Sequence, residues 1–169
     1  MEGAYRYENG LLAPYQVDAI YSEKNRWHLL SLTKAPDNLL MWSHYASGHS
    51  GMVVGVEVTD TEAEIEPVTY VTDLSIKQHT EDIAQLILRR KYDLWSYEEE
   101  VRAFKRNEGG KNATTFIKVK VKEVIFGTKT DVSIKILVTA IAKKFCPGVV
   151  VRTMKRDDLR TGRGDAIDA

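Results

Sequence analysis

Apolar and polar positions along the chain recur at two periods. In TFIKVKVKEVIFGT (115–128) they alternate, with Ile117, Val119 and Val121 on one face and Lys118, Lys120 and Lys122 on the other. That is the period of a half-exposed strand with a solvated basic face. In DVSIKILVTAIAKKF (131–145), Ile134, Leu137, Val138, Ile141 and Phe145 repeat at helical spacing, which predicts an amphipathic helix that buries this stripe. RWHLLSLT (26–33) is apolar on both faces and predicts a buried strand, stopped by KAPD. Asp37 can then cap a helix over about 38–46 that closes near Gly48.

GMVVGVEV (51–58) predicts a strand, EPVTYV (66–71) its neighbour, and EEEVRAFK (98–105) and GVVVRT (148–153) two more. From Thr80 the pattern turns helical, with Ile83, Leu86, Ile87 and Arg90 on one face and an end near Trp95. LLAPYQVDAIYSEKN (11–25) is weakly helical and interrupted by Pro14, and NEGGKN (107–112) predicts a loop or hairpin tip. Strands and helices alternate without regular βαβ spacing. The expected fold is therefore α+β, a mainly antiparallel twisted sheet with two or three packed helices. The expected organisation is an N-terminal extension over 1–25, partly helical, a single domain over 26–155 and a flexible C-terminal tail over 156–169.

Composition narrows the function classes. The 169 residues hold 24 basic and 24 acidic side chains, so the total charge gives no reason to expect nucleic acid or an anionic membrane as partner. A nucleotide-type small molecule and a protein remain as partner classes. The lysine row fits surface solubility or edge protection better than a nucleic-acid stripe. One cysteine, Cys146, excludes a disulfide framework within the chain and a Cys-rich zinc site, and its place in KKFCPG reads as a buried structural thiol. No apolar run approaches the roughly 18 residues of a membrane span, and MEGAYRYENG lacks the layout of a signal peptide, so the expected location is cytoplasmic.

Two stretches could carry chemistry. If YEEEVRAF is one extended strand, Glu98, Glu100, Arg102 and Phe104 share a face, while Val101 and Ala103 on the other suit the core. Two carboxylates about 7 Å apart can position a hydroxyl and polarise a leaving bond. Arg102 beside them would hold a carboxylate ionised or grip a phosphate. The alternative is a cross-strand ion-pair ladder on a wet sheet face. In LMWSHYASGHSG (40–51) and the Leu39 before it, Leu39, Trp42 and Ala46 suit the core of a helix, while Ser43, His44, Tyr45 and His49 present polar and aromatic tips that could stack a base and hydrogen-bond its amide. A packed helix with satisfied tips is the alternative. His44 and His49 lie five apart, not the four that puts two metal ligands on one helical face, so no metal site is expected.

The series LLSLTKAPDNLLMWSHYASGHSGMVVGVEV, PVTY, WSYEEEVRAF and VKEVIFGTK resembles an uncharacterised bacterial and phage domain family with LMWSHYA…H-x-G and W-x-YE-x-E-x-R signatures, over about residues 26–153. An E-x-E downstream of a strand bearing Ser and Thr is also similar to the layout of ADP-ribosyltransferases. That resemblance implies an ADP-ribosyltransferase-like fold that takes NAD as substrate, with no certain cofactor. Ser31 and Thr33 would match the strand that braces the NAD pocket, and Glu98 and Glu100 the E-x-E, Glu100 being the catalytic carboxylate. Family members open with a segment of the type LYKYRS…FNDP, of which AYRYENG is a faint echo with Arg6 in the place of its arginine. This departure implies a shortened pocket wall and keeps open the alternative of a non-catalytic protein-interaction module in phage–host conflict. The candidate catalytic residues are thus Glu100, Glu98 and His44, and the candidate ligand-binding residues Ser31, Trp42, Ser43, Tyr45, His49 and Arg102.

Overall fold

A computed structural model describes residues 7–8, 11–12, 14–74, 83–107, 115–155 and 158–159. Most of NEGGKN, the start of the helix expected from Thr80 and most of the 156–169 tail lie outside the described residues. Strands and helices are mixed and segregated as in an α+β fold. No helix among the described residues is long and apolar enough to cross a membrane. The chain divides into two compact units, each of three segments: residues 1–32, 61–96 and 100–117 form the first, and 33–60, 97–99 and 118–169 the second. Residues 26–155, read from the sequence as one domain, contribute to both.

The first unit opens with a short hairpin, β1 (Tyr7–Glu8) and β2 (Leu11–Leu12), followed by α1 (Pro14–Lys24). Pro14 does not interrupt this helix; it starts it. Its ring presets the backbone torsion there, and a missing N–H costs nothing in the first turn. A three-stranded sheet has the order β3 (Trp27–Thr33), β8 (Glu100–Arg106) and β5 (Glu64–Pro67). β8 is the central strand, paired along both edges; Val101, Ala103 and Phe104 are buried, and so is Glu100. β3 is only half-covered, with Leu29 and Ser31 exposed. β6 (Thr69–Val71) pairs in parallel with β7 (Arg90–Tyr92).

Two sequence expectations change here. EPVTYV splits between β5 and β6 and pairs with β8 and β7 rather than with 51–58. The helix expected to reach Trp95 is α3 (Ile83–Arg89) alone; β7 and a 3-10 helix (Asp93–Glu98) follow it.

In the second unit the sheet order is β10 (Val150–Thr153), β9 (Val119–Phe126) and β4 (Met52–Val58), with β10 parallel and β4 antiparallel to β9. α2 (Leu39–Tyr45) packs Trp42 and Ala46 against Ile125 and Met154 on one side of this sheet. α4 (Val132–Phe145) packs Val138 and Ala142 against Val121, Val124, Phe126 and Val151 in a second cluster. The helix caps explain where these elements begin. Asn38, not Asp37, caps α2, its Oδ1 accepting from the Leu40 and Met41 N–H groups, while Asp131 caps α4 through the Ser133 N–H. The stripe expected to be buried on α4 is only partly so: Ile134, Leu137, Ile141 and Phe145 are exposed, and of the five only Val138, at the edge of the stripe, packs on the sheet together with Ala142.

Candidate active site

The sequence-predicted residues fall into two groups, one in each unit. In the first unit they gather on Glu100. Its backbone is fixed from both ends: its N–H donates to the Tyr70 hydroxyl at 2.8 Å, and its carbonyl accepts from Val68 N–H at 2.9 Å. Its carboxylate, 6% exposed, accepts four hydrogen bonds. The Ser31 hydroxyl on β3 and Arg102 Nε reach Oε1 at 2.5 and 2.7 Å; Lys91 Nζ and Arg102 Nη2 reach Oε2 at 3.2 and 3.0 Å. Arg102 is itself anchored, its Nη1 donating to Leu88 O.

Two carboxylate oxygens offer about four lone-pair positions, so this ring of donors saturates the group. Burial pushes the Glu100 carboxyl up. The hydrogen bonds from Arg102 and Ser31, the Arg102 charge and the Lys91 ammonium outweigh it and bring it down from 4.5 to about 2. Glu100 is therefore an anion throughout the physiological range. Lys91, the longest-held of the four donors, also lies 5.2 Å from the centroid of the Trp95 ring, which is 40% exposed.

The structure thus brings Arg102 and Ser31 to Glu100, and does not bring Glu98 there. The extended run begins at Glu100. Glu98 ends the 3-10 helix, and Glu99 between them has φ +43, a left-handed turn that breaks the alternation. The expectation that Glu98 and Glu100 share an exposed strand face is corrected accordingly: both are buried, and they belong to different units.

In the second unit Glu98 Oε1 accepts from the Tyr45 hydroxyl at 2.9 Å, and Glu98 O accepts from the Thr33 hydroxyl at 2.6 Å. The same turn is tied down by Lys34 N–H donating to Glu99 O and by Asn38 Nδ2 donating to Tyr97 O. Thr33 therefore braces the approach to β8, as Ser31 braces its first residue. Trp42 is 1% exposed and donates through Nε1 to Pro36 O at 2.7 Å. Its place in the core corrects its assignment as a ligand-stacking ring: no face of it is open to a base.

Instead Trp42 supports His49, whose ring lies parallel to it at 6.2 Å between centroids. Ser43 donates to Leu39 O at 3.0 Å, and its oxygen lies 3.3 Å from His49 Nε2. His44 meets Tyr45 edge-on, the ring centroids 6.3 Å apart. Three consecutive residues, Ser47, Gly48 and His49, have φ of +50, +58 and +72. That backbone is strained for the serine and the histidine and persists because the segment between β9 and α4 grips it. Lys129 N–H donates to His49 O, and Gly127 N–H and the Thr130 hydroxyl both donate to Gly51 O. A Cβ on Gly127 would lie 2.1 Å from His49 O, so only glycine permits this approach.

Reading the residues missed Lys91, Tyr70 and Trp95. Lys91 and Trp95 sit in RRKYDLWSYE, where the helix expected to reach Trp95 gives way to strand and 3-10 helix. Tyr70 shares a β-branched run in which a core aromatic and a hydrogen-bonding one look alike.

No family model matches the chain, and no curated protein or solved structure matches it significantly.

Proposed function

We propose that the first unit carries the carboxylate of an ADP-ribosyltransferase-like site that takes NAD. The observation that carries this reading is the 2.5 Å hydrogen bond from Ser31 to Glu100, between neighbouring strands, with the carboxylate ionised. It is the pairing that the bracing strand and the E-x-E resemblance call for. In this reading Glu100 accepts a ribose hydroxyl of NAD, and its charge stabilises the positive charge that develops on the ribose as the bond to nicotinamide breaks. Water or an acceptor side chain then attacks the ribose carbon. Trp95 supplies an exposed ring for stacking.

A saturated carboxylate must release one donor before it can accept another. Lys91 is the donor that can leave. It is held at 3.2 Å, its side chain is 22% exposed against 14% for Arg102, and its ammonium already lies over Trp95. The diphosphate of NAD, competing for that ammonium, would uncover Oε2 for the ribose.

The test is incubation with NAD and a cell extract, measuring released nicotinamide. The expected result is turnover that disappears in Glu100→Gln, and NAD binding by calorimetry that is weakened in Lys91→Gln. Neither turnover nor NAD binding in the wild type overturns the reading.

The saturation of Glu100 also favours a second reading, in which the ion cluster is structural and the chain is a non-catalytic protein-interaction module. Under it, Lys91→Gln changes stability and nothing else.

A further inference from the structure

Arg89, Lys91 and Arg102 lie on the Glu100 side of the first unit's sheet and differ in how firmly each is held. Arg102 spans both Glu100 oxygens and donates from Nη1 to Leu88 O. Arg89 forms ion pairs with Glu64 at 3.1 Å and Glu66 at 3.2 Å and lies 5.4 Å from the centre of the Phe104 ring. Lys91 holds Oε2 at 3.2 Å, the longest of the four bonds to that carboxylate, at the end of a flexible stem.

We propose that Lys91 is a specificity-determining residue that makes cleavage depend on a diphosphate. The site then takes nicotinamide dinucleotides and discriminates against nicotinamide riboside, and inorganic pyrophosphate supplied separately turns the riboside into a substrate. This rests on the reading of Glu100 as the acceptor of a ribose hydroxyl.

The reason is a balance of charge. A ribose hydroxyl is a neutral donor. Exchanging the Lys91 ammonium for it, at a carboxylate only 6% exposed, trades a charge-assisted hydrogen bond for one roughly half as strong and separates two opposite charges. The Trp95 ring does not offset this, because the ammonium already lies 5.2 Å from its centroid before any exchange. A diphosphate does offset it: the ammonium gains a second anion, so the ion pair is replaced and not lost. The dinucleotide carries that anion on the reacting ribose, and the riboside lacks it. In either substrate the bond from ribose C1′ to the pyridinium nitrogen breaks, and its electron pair leaves with neutral nicotinamide. A water oxygen then bonds C1′, and its proton passes to solvent.

The test measures nicotinamide released by the full chain from NAD and from nicotinamide riboside, with pyrophosphate titrated to about 10 mM at matched ionic strength. The riboside alone is expected to be cleaved at least about tenfold more slowly than NAD. Pyrophosphate is expected to act in opposite directions, slowing NAD cleavage by competition and speeding cleavage of the riboside. Lys91→Gln, checked by circular dichroism for an intact fold, is expected to bind NAD more weakly and to cleave the riboside faster than the wild type, without response to pyrophosphate. Loss of a merely structural lysine moves both substrates the same way. If NAD is cleaved and the riboside alone is cleaved as fast, or pyrophosphate leaves riboside cleavage unchanged or slows it, the proposal is overturned and the reading of Glu100 stands. These arms use the wild type alone and decide the matter even where the variant does not fold. A folded Lys91→Gln that still needs pyrophosphate for the riboside overturns the proposal as well. If the wild type cleaves neither substrate under any of these conditions, the proposal falls, and the reading of Glu100 falls with it where NAD also fails to bind.

Discussion

Replacing Glu100 by glutamine tests whether its carboxylate is ionised and paired, and the structure gives the size of the effect. The folded carboxyl titrates at about 2 against an ordinary 4.5. At about 1.4 kcal/mol per tenfold change in proton affinity, this gap makes ionised Glu100 contribute about 3 kcal/mol to the folded state. A separate route agrees: removing one partner from a buried ion cluster costs roughly 3–5 kcal/mol, because the remaining charges stay desolvated. Arg102 and Lys91 keep 14 and 22% of their side chains exposed, which places the cost at the lower end.

The pH dependence has a definite sign. A depressed carboxyl pKa means that the unfolded chain binds the proton more tightly, so acid favours unfolding. The contribution is fully present above about 4.5 and is lost as pH falls through about 2. Glu100→Gln should therefore be about 3 kcal/mol less stable at neutral pH, with the difference shrinking below pH 5 and vanishing near pH 2. Urea titrations at several pH values, read by hydrogen-exchange mass spectrometry on the 100–106 peptide, measure the unit that holds Glu100. If wild type and variant lose stability in parallel between pH 5 and 2, Glu100 does not hold the low pKa, and both the ion cluster and the catalytic reading built on it fail.

Asn38→Ala removes the α2 cap and leaves the half-buried Tyr97 carbonyl without its Asn38 donor, and should cost about 2 kcal/mol, measured by urea unfolding. Asn38→Asp, which keeps the cap but loses the donor, should lie between the two. Gly127→Ala must push the His49 carbonyl away from 2.1 Å and should cost more than about 2 kcal/mol, with faster exchange at the Gly127 and Lys129 amides whose bonds hold the 47–51 turn.

What the sequence made legible follows from how one-sided the burial is. β3, β4 and the body of α4 were readable because their apolar runs or periods are long and uninterrupted. The direction in which an apolar stripe points is not contained in its period. Ile134, Leu137, Val138, Ile141 and Phe145 span an arc wider than the sheet beneath α4 covers, and packing selects Val138 with the small Ala142, leaving the larger residues outside. Alternation likewise predicts a shared face for Glu98 and Glu100 only while the chain stays extended. One left-handed residue, Glu99, ends that, and nothing about a glutamate in a run of three announces it. The Ser31–Glu100 bond depends on β3 and β8 being neighbours, and no pattern within either strand announces that pairing.

The Glu100 cluster also shows why residue type alone underdetermines function. The features that hold the carboxylate ionised are those that occupy its lone pairs, so a strongly lowered pKa is shared by a structural ion cluster and a resting active site. What separates them is whether one donor is held more weakly than the rest. Arg102 grips both oxygens and is itself tied to Leu88, and Ser31 makes the shortest bond, while the Lys91 bond to Glu100 is the longest of the four and an aromatic ring lies beside its ammonium. A purely structural cluster gains nothing from such asymmetry. Substituting Lys91 therefore separates the two readings more cleanly than substituting Glu100, which both readings require.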